Sequence, residues 1–199
     1  MKFATFLFGF LPLAPMLTAG PLPCIPGTLA SYIALGVSGC AVGNIEFVNF
    51  GYSSKAGGGA TEIPPELIQI NPVLGVPAAA SLAFSAKWQV SGGQSQESLI
   101  RYTVIRTEPH ASGSLTLTLG LSQAGQRGVV VVRENTSVGD LQVYLACGQN
   151  CRSKTTDTVD FTPVPGEFRV VNQVRLKSTT GTSSLDGFTA LVNLCPPCV

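Results

Sequence analysis

Alternation of apolar and polar residues with a period of two is the feature that most restricts the fold of this chain. Four leucines at alternate positions of residues 115–121 are separated by threonine and glycine. The same period recurs in residues 82–90, 141–145 and 168–177. Successive side chains of a β-strand point to opposite faces, so each segment predicts a strand with one buried and one solvated face.

Five further segments predict strands on weaker evidence. The alternation is less regular in residues 45–52, 67–73, 98–107 and 188–194. Residues 129–132 are four consecutive valines, which is typical of a strand buried on both faces.

Glycine- and proline-rich turns separate these segments, and no helical pattern lies between the strands. The chain is therefore predicted to be all-β, an antiparallel two-sheet β-sandwich of about nine strands. The one predicted helix is short and N-terminal, over residues 28–35, with Thr28 as its N-cap and Gly36 at its end.

The first twenty residues have the three parts of a secretory signal. Lys2 precedes an apolar run over residues 3–17, and the small residues Thr18, Ala19 and Gly20 follow. A membrane-spanning helix needs roughly 20 apolar residues, so an uncleaved N-terminal anchor is the weaker alternative. We expect a signal peptide over residues 1–19, a single β-sandwich domain over residues 20–199, and no membrane span after cleavage. The predicted location is secreted or extracellular, associated with the cell surface.

The charge of the mature chain excludes several classes of partner. Without Lys2, eleven lysines and arginines balance eleven aspartates and glutamates. No basic run is present to neutralise phosphates, so a nucleic-acid partner is not expected. No basic amphipathic segment suggests binding to a membrane surface.

The six cysteines are predicted to form disulfides, because an even number in an exported chain favours pairing. They are Cys24, Cys40, Cys147, Cys151, Cys195 and Cys198. Sequence separation favours two local pairs, the first two cysteines around a compact segment and the next two around a three-residue turn. The terminal Cys-Pro-Pro-Cys can pair internally, with other cysteines or with another chain.

Two other functions of these cysteines are possible from their spacing. Cys195 and Cys198 have the spacing of thiol–disulfide oxidoreductases, but one residue after Cys198 leaves no room for the helix that such a motif requires. With Cys147 and Cys151 they could hold a structural zinc ion, which export disfavours. We predict no metal site and no cofactor.

The sequence marks no catalytic residue. His110 is the single histidine, is expected in a solvent-facing loop, and has no nucleophile motif beside it. Glycoside hydrolysis needs two carboxylates about 5–10 Å apart. Glu46, Glu97, Glu134 and Asp160 are candidates for such a pair, but no spacing singles out two of them.

Two polar or aromatic features have a functional and a structural interpretation. Asp157 and Asp160 could contribute to a calcium site. The preferred interpretation is that both are solvent-exposed acidic residues of a loop. Trp88 could stack on a sugar ring. It shares a strand face with Leu82 and Phe84, which favours core packing.

A resemblance to a bacterial protein group rests on the N-terminal third of the chain. The residues that carry it are Cys24, Thr28-Leu29, Tyr32-Ile33, Gly39-Cys40, Val42-Gly43, Phe47, Asn49-Phe50 and Tyr52. They resemble the start of uncharacterised bacterial exported proteins, many of which carry a PEP-CTERM tail sorted by an exosortase. Residues 195–199 do not show that tail. The resemblance implies a bacterial exported protein and supplies no catalytic residues.

These observations lead to one functional hypothesis and one alternative. The chain is predicted to be a non-enzymatic, exported β-sandwich protein of the cell surface or extracellular matrix, with an extracellular polysaccharide or a surface protein as its partner. The alternative is a secreted carbohydrate-active hydrolase with paired carboxylates.

Overall fold

A computed structural model describes residues 21–75 and 79–195, which form strands, one short α-helix and one 3-10 turn. The helix α1 (Leu29–Ala34) follows the first strand, and the 3-10 turn (Pro65–Leu67) precedes the fourth. In chain order the strands are β1 (Gly27–Thr28), β2 (Cys40–Val42), β3 (Ile45–Gly57), β4 (Gln69–Leu74), β5 (Ala79–Val90), β6 (Ser95–Arg106), β7 (Ser112–Leu119), β8 (Ser122–Gln123), β9 (Gly128–Thr136), β10 (Asp140–Cys147), β11 (Cys151–Lys154), β12 (Thr156–Phe161), β13 (Glu167–Ser178) and β14 (Ser183–Cys195).

The strands form two antiparallel sheets of seven strands each. Sheet I has the order β1-β4-β5-β14-β7-β12, with β8 also paired to β14, and sheet II has the order β11-β10-β9-β13-β6-β3-β2. The predicted all-β sandwich is confirmed. The nine predicted strands correspond to β3, β4, β5, β6, β7, β9, β10, β13 and β14. β1, β2, β8 and β11 have two to four residues each, too few for alternation to be recognised. β12 is as long as β4, but Val159 and Phe161 are its only apolar residues, and the sequence pattern did not predict it.

The hydrophobic core lies between the sheets and draws side chains from both. Phe84 of sheet I stacks on Phe188 of the same sheet, with ring centroids 4.9 Å apart, and on Tyr102 of sheet II at 6.2 Å. Burial of this apolar surface is the main force that holds the two sheets together.

The predicted helix is confirmed, with its cap. The Thr28 hydroxyl accepts a hydrogen bond from the Ser31 backbone N–H at 3.1 Å, which satisfies one of the free donors at the helix start. Gly36 has φ of +56°, the left-handed conformation that ends many helices.

A β-bulge in β3 explains the weak alternation of residues 45–52. The register with β6 shifts between Val48 and Gly51, and Asn49 takes a φ of +56° there. The extra residue allows both Phe47 and Phe50 to face the core.

Two predictions about strand environment were wrong. Val130 and Val132 are buried, but Val129 and Val131 are only half-buried on the outer face of sheet II, so residues 129–132 are not buried on both faces. β7 ends at Leu119, so Leu121, which was predicted to lie on the buried face of this strand, is instead 80% exposed.

Disulfides join Cys24 to Cys40 and Cys147 to Cys151. The backbone of Cys195 pairs with Ser112 at the end of β14, and Cys198 lies outside the described residues. The predicted signal peptide, residues 1–19, also lies outside them. Within residues 21–75 and 79–195, neither helix is long or apolar enough to cross a membrane.

Candidate functional site

The outer face of sheet II gathers most of the positive charge of the described chain. Alternation on β3, β6, β9 and β13 directs six exposed lysines and arginines to this side. They are Lys55, Arg101, Arg133, Arg169, Arg175 and Lys177. We call this surface the basic face.

Strand register places two of these cations, Lys55 and Arg175, in one row. Arg175 of β13 lies between Val131 of β9 and Glu97 of β6, and Glu97 lies beside Lys55 of β3. Neighbouring strands are about 4.8 Å apart, so the backbones at Lys55 and Arg175 are about 10 Å apart. Residues distant in sequence thus form one surface.

A groove of about 470 Å³ lies at one end of the basic face. We call it the basic groove, and its lining includes four cations, one carboxylate and two valines. These residues are Lys55, Arg133, Arg175, Lys177, Glu97, Val129 and Val131. Such a lining offers charged hydrogen-bond donors over a partly apolar floor.

Each of the two groove arginines makes one side-chain contact through Nε. Arg175 Nε lies 3.4 Å from the Glu97 carboxylate, with these side chains 54% and 22% exposed. A pair this exposed contributes at most about 1 kcal/mol to stability. Arg133 Nε donates to Gln142 Oε1 at 2.7 Å. Glu97 therefore offsets one of the four positive charges and leaves a formal excess of three.

The outer face of sheet I is chemically different. Its outward positions are mostly small and uncharged, and Thr116 and Thr158 of neighbouring strands share a hydrogen bond of 3.0 Å. In the described strands of sheet I, Lys87 is the single basic residue that points to the outer face. The charge asymmetry between the faces identifies the outer side of sheet II as the candidate binding surface.

A buried polar cluster lies behind the basic face. Glu134 of β9 is 1% exposed, and its register partner Asn172 of β13 is fully buried. Asn172 Nδ2 donates to the Tyr102 hydroxyl at 3.3 Å. Loss of hydration on burial raises the pKa of Glu134 to about 8, although Asn172 opposes part of this effect by hydrogen bonding. Glu134 is thus mainly neutral at pH 7 and sealed away from any substrate.

The structure does not bring together the four carboxylates of the hydrolase hypothesis. Glu134 is inside the core, and Asp160 lies on sheet I. Glu46 and Glu97 share the outer face of sheet II, but Glu46 pairs with Ile105, eight residues from Glu97 along β6. That separation is about 27 Å, against the 5–10 Å that a glycosidase pair requires.

The remaining candidate residues also have defined environments. His110 lies in the irregular segment after β6, as predicted, but both its ring nitrogens are buried rather than solvent-facing. Asp157 and Asp160 lie on β12 and not in a loop. The Asp157 carboxylate pairs with Lys154 Nζ at 2.7 Å and accepts from the Gln142 backbone N–H at 2.9 Å. In the described part of the chain, no group of three or more metal-ligating side chains occurs.

Trp88 is a core residue, as predicted. Its side chain is 1% exposed, and its Nε1–H donates to the Ser98 hydroxyl at 3.1 Å. The Tyr52 hydroxyl donates to the Ile63 carbonyl at 2.6 Å, so the 2.9 Å contact between Ser98 and Tyr52 has Ser98 as donor. This chain of hydrogen bonds joins the two sheets and leaves the indole no surface for a sugar.

Sequence reasoning missed the basic groove, although part of the signal was visible. The polar side of residues 169–177 carries Arg169, Arg175 and Lys177 at alternate positions. What could not be seen is that β9 and β3 would place Arg133 and Lys55 beside them, because strand order follows from tertiary contacts.

Comparison with known proteins yields distant structural likenesses alone. No family model matches the chain, and no curated protein matches it. The enzymatically active domain of tailspike protein 4 from Bacteriophage CBA120 aligns with 14% identity and a TM-score of 0.30 over 74% of this chain. This chain spans only 19% of that domain's length.

Two proteins solved with oligosaccharides also align. TmCBM61, in complex with β-1,4-galactotriose, has 6% identity and a TM-score of 0.31, with 70% of this chain and 86% of that chain covered. The family 11 carbohydrate-binding module from Clostridium thermocellum, in complex with a β-1,3-1,4-mixed-linked tetrasaccharide, has 11% identity and a TM-score of 0.22, with 70% and 87% covered. Likenesses at this level assign no ligand to this chain.

Proposed function

We propose that this chain is an exported, non-enzymatic protein that binds an extracellular polysaccharide through the outer face of sheet II. The observation that carries the proposal is the basic groove of about 470 Å³. Its polar side chains supply hydrogen bonds to hydroxyl and acidic groups, and Val129 and Val131 supply an apolar floor.

Placement on strands favours binding by a preformed surface. Lys55, Glu97, Arg133 and Arg175 lie on four adjacent strands of sheet II, with their backbones fixed by ladder hydrogen bonds. A ligand therefore does not have to order a loop when it binds, which lowers the entropic cost of association.

Export is supported by the two disulfides and by the residues at the start of the chain. Bonds between Cys24 and Cys40 and between Cys147 and Cys151 persist in oxidising compartments. The apolar run of residues 3–17 after Lys2 has the features of a signal peptide that directs export to such a compartment.

The test is a binding assay with soluble polysaccharides, neutral and acidic, by affinity electrophoresis and calorimetry. We expect at least one polysaccharide to bind and the double change Arg133→Gln with Arg175→Gln to abolish its retardation. Lys87→Gln is the matched control, because it removes one cation from the opposite face. Absence of binding to every polysaccharide would contradict the proposal, and release of reducing sugar would favour the hydrolase alternative.

A further inference from the structure

We propose, on the basis of the polysaccharide-binding function above, that the ligand of the basic groove is an anionic polysaccharide bearing carboxylate groups. The juxtaposition of two arginines and two lysines around a single carboxylate is the observation that supports it.

The charge of the groove favours an anionic ligand. The mature sequence has a formal net charge of zero, yet the groove carries four cations and one acid. By strand spacing and rise, Arg133, Lys177 and Lys55 each lie roughly 7–10 Å from Arg175, about one Debye length at physiological ionic strength, so their potentials overlap around Arg175. A polymer with regularly spaced negative charges is the complementary partner.

The terminal nitrogens of the two arginines favour a carboxylate group on that ligand. Arg175 meets Glu97 through Nε, and Arg133 meets Gln142 through Nε. Among the described residues, the two Nη nitrogens of each arginine have no hydrogen-bond partner. The paired terminal nitrogens of both arginines are therefore open to a ligand, and a guanidinium can bind a carboxylate through two parallel hydrogen bonds.

The shortage of aromatic residues on this face disfavours a nucleic-acid ligand. Tyr144 is the one aromatic residue among the outward positions of the described sheet II strands. Single-stranded nucleic acids are bound largely by stacking bases on several aromatic side chains, which this face lacks. A carboxylated polysaccharide needs charged donors and no stacking platform.

Glu97 gives the proposal a test with a distinctive sign. Its carboxylate lies beside Arg175 and inside the groove, where it competes with and repels a ligand carboxylate. Glu97→Gln should therefore strengthen binding of an anionic polymer several-fold, whereas Arg175→Gln should weaken it by about tenfold or more, the usual effect of losing a hydrogen bond to a charged group. A misfolded variant cannot produce tighter binding.

The experiment compares polygalacturonate with fully methyl-esterified polygalacturonate, which has the same backbone without the charge. Full-length protein exported by a bacterial host is titrated by calorimetry at low and high sodium chloride concentration. We expect binding of the acid form, loss of affinity with salt, and little binding of the ester. Lys87→Gln, on sheet I, should leave the affinity unchanged.

Each contrary result has a separate meaning. Equal, salt-independent binding of acid and ester would overturn the anionic ligand and leave the polysaccharide function standing. Tighter binding of dextran sulfate than of polygalacturonate would refute the carboxylate assignment. Tighter binding of single-stranded DNA would refute the polysaccharide ligand itself. No binding of any polysaccharide would refute the proposed function.

Discussion

Replacing Glu134 by glutamine should remove most of the pH dependence of stability between pH 5 and pH 8. Glu134 is 1% exposed, and its pKa is raised to about 8 because the charged form loses its hydration in the core. Glu134 Oε2 and Asn172 Oδ1 are both buried acceptors without a hydrogen-bond partner in the described structure. A proton on Glu134 gives this pair of side chains the donor that it lacks.

The sign of the effect follows from the direction of the pKa shift. The ordinary pKa is 4.5, so between pH 4.5 and pH 8 the folded protein keeps a proton that the unfolded chain releases. The contribution of Glu134 to stability is therefore complete at acidic pH and declines as the pH rises through the folded-state pKa. At about 1.4 kcal/mol per pH unit, the decline from pH 5 to pH 8 is about 4 kcal/mol.

The assay is urea unfolding of the wild-type protein and Glu134→Gln at half-unit steps from pH 5 to pH 8. Glutamine is neutral, as Glu134 is at pH 5, and it also carries a hydrogen-bond donor, so the two proteins should differ by less than about 1 kcal/mol at pH 5. At pH 8 the variant should be more stable by about 4 kcal/mol, a large part of the total stability of a domain this size.

A control substitution distinguishes the effect of removing a buried carboxylate from the effect of removing any carboxylate. Glu97→Gln makes the same substitution at a half-exposed position, two strands away from β9 in sheet II, and should keep the wild-type dependence on pH. Parallel pH profiles for wild type and Glu134→Gln would refute the reasoning. So would a carboxyl carbon resonance of Glu134 that titrates near pH 4.5 in the folded protein.

Three further outcomes are expected. Ser98→Ala should lower the unfolding free energy by about 1–3 kcal/mol, measured by urea unfolding, because the buried Trp88 Nε1–H loses its acceptor. Changing Cys24 and Cys40 together to alanine should cost about 3 kcal/mol in the same assay, since their bond closes a loop with a sequence separation of 16. Protein exported by a bacterial host should begin at Gly20, and its intact mass checks this; a start at Met1 would refute the predicted signal peptide.

The long strands could be predicted because their burial alternates in the sequence itself. In β13, Phe168, Val170, Val174 and Leu176 face the core, as their spacing predicted. The pattern failed where local geometry interrupts it. The bulge at Asn49 shifts the alternation within β3, and strands as short as β1 have no alternation to detect.

The candidate site could not be predicted because it depends on which strands become neighbours. Lys55 and Arg175 are 120 positions apart in sequence and are brought together by their common neighbour Glu97. No local run of basic residues exists, so charge counting along the chain pointed to no surface. Likewise, Glu134 lies in a segment of polar residues at the end of β9. Its burial follows from the alternation of β9, which puts Glu134 on the same face as Val130 and Val132.

The buried acid and the basic groove are connected through strand register. Arg133 and Glu134 are consecutive in β9, so one faces the groove and the other the core. A slip of one residue would exchange them and bury the arginine. A slip of two would place Glu134 opposite Val170 or Val174, whose side chains cannot hydrogen-bond to it, whereas the observed register pairs it with Asn172. The register that gives Glu134 a polar neighbour is thus the same register that places Arg133 in the groove.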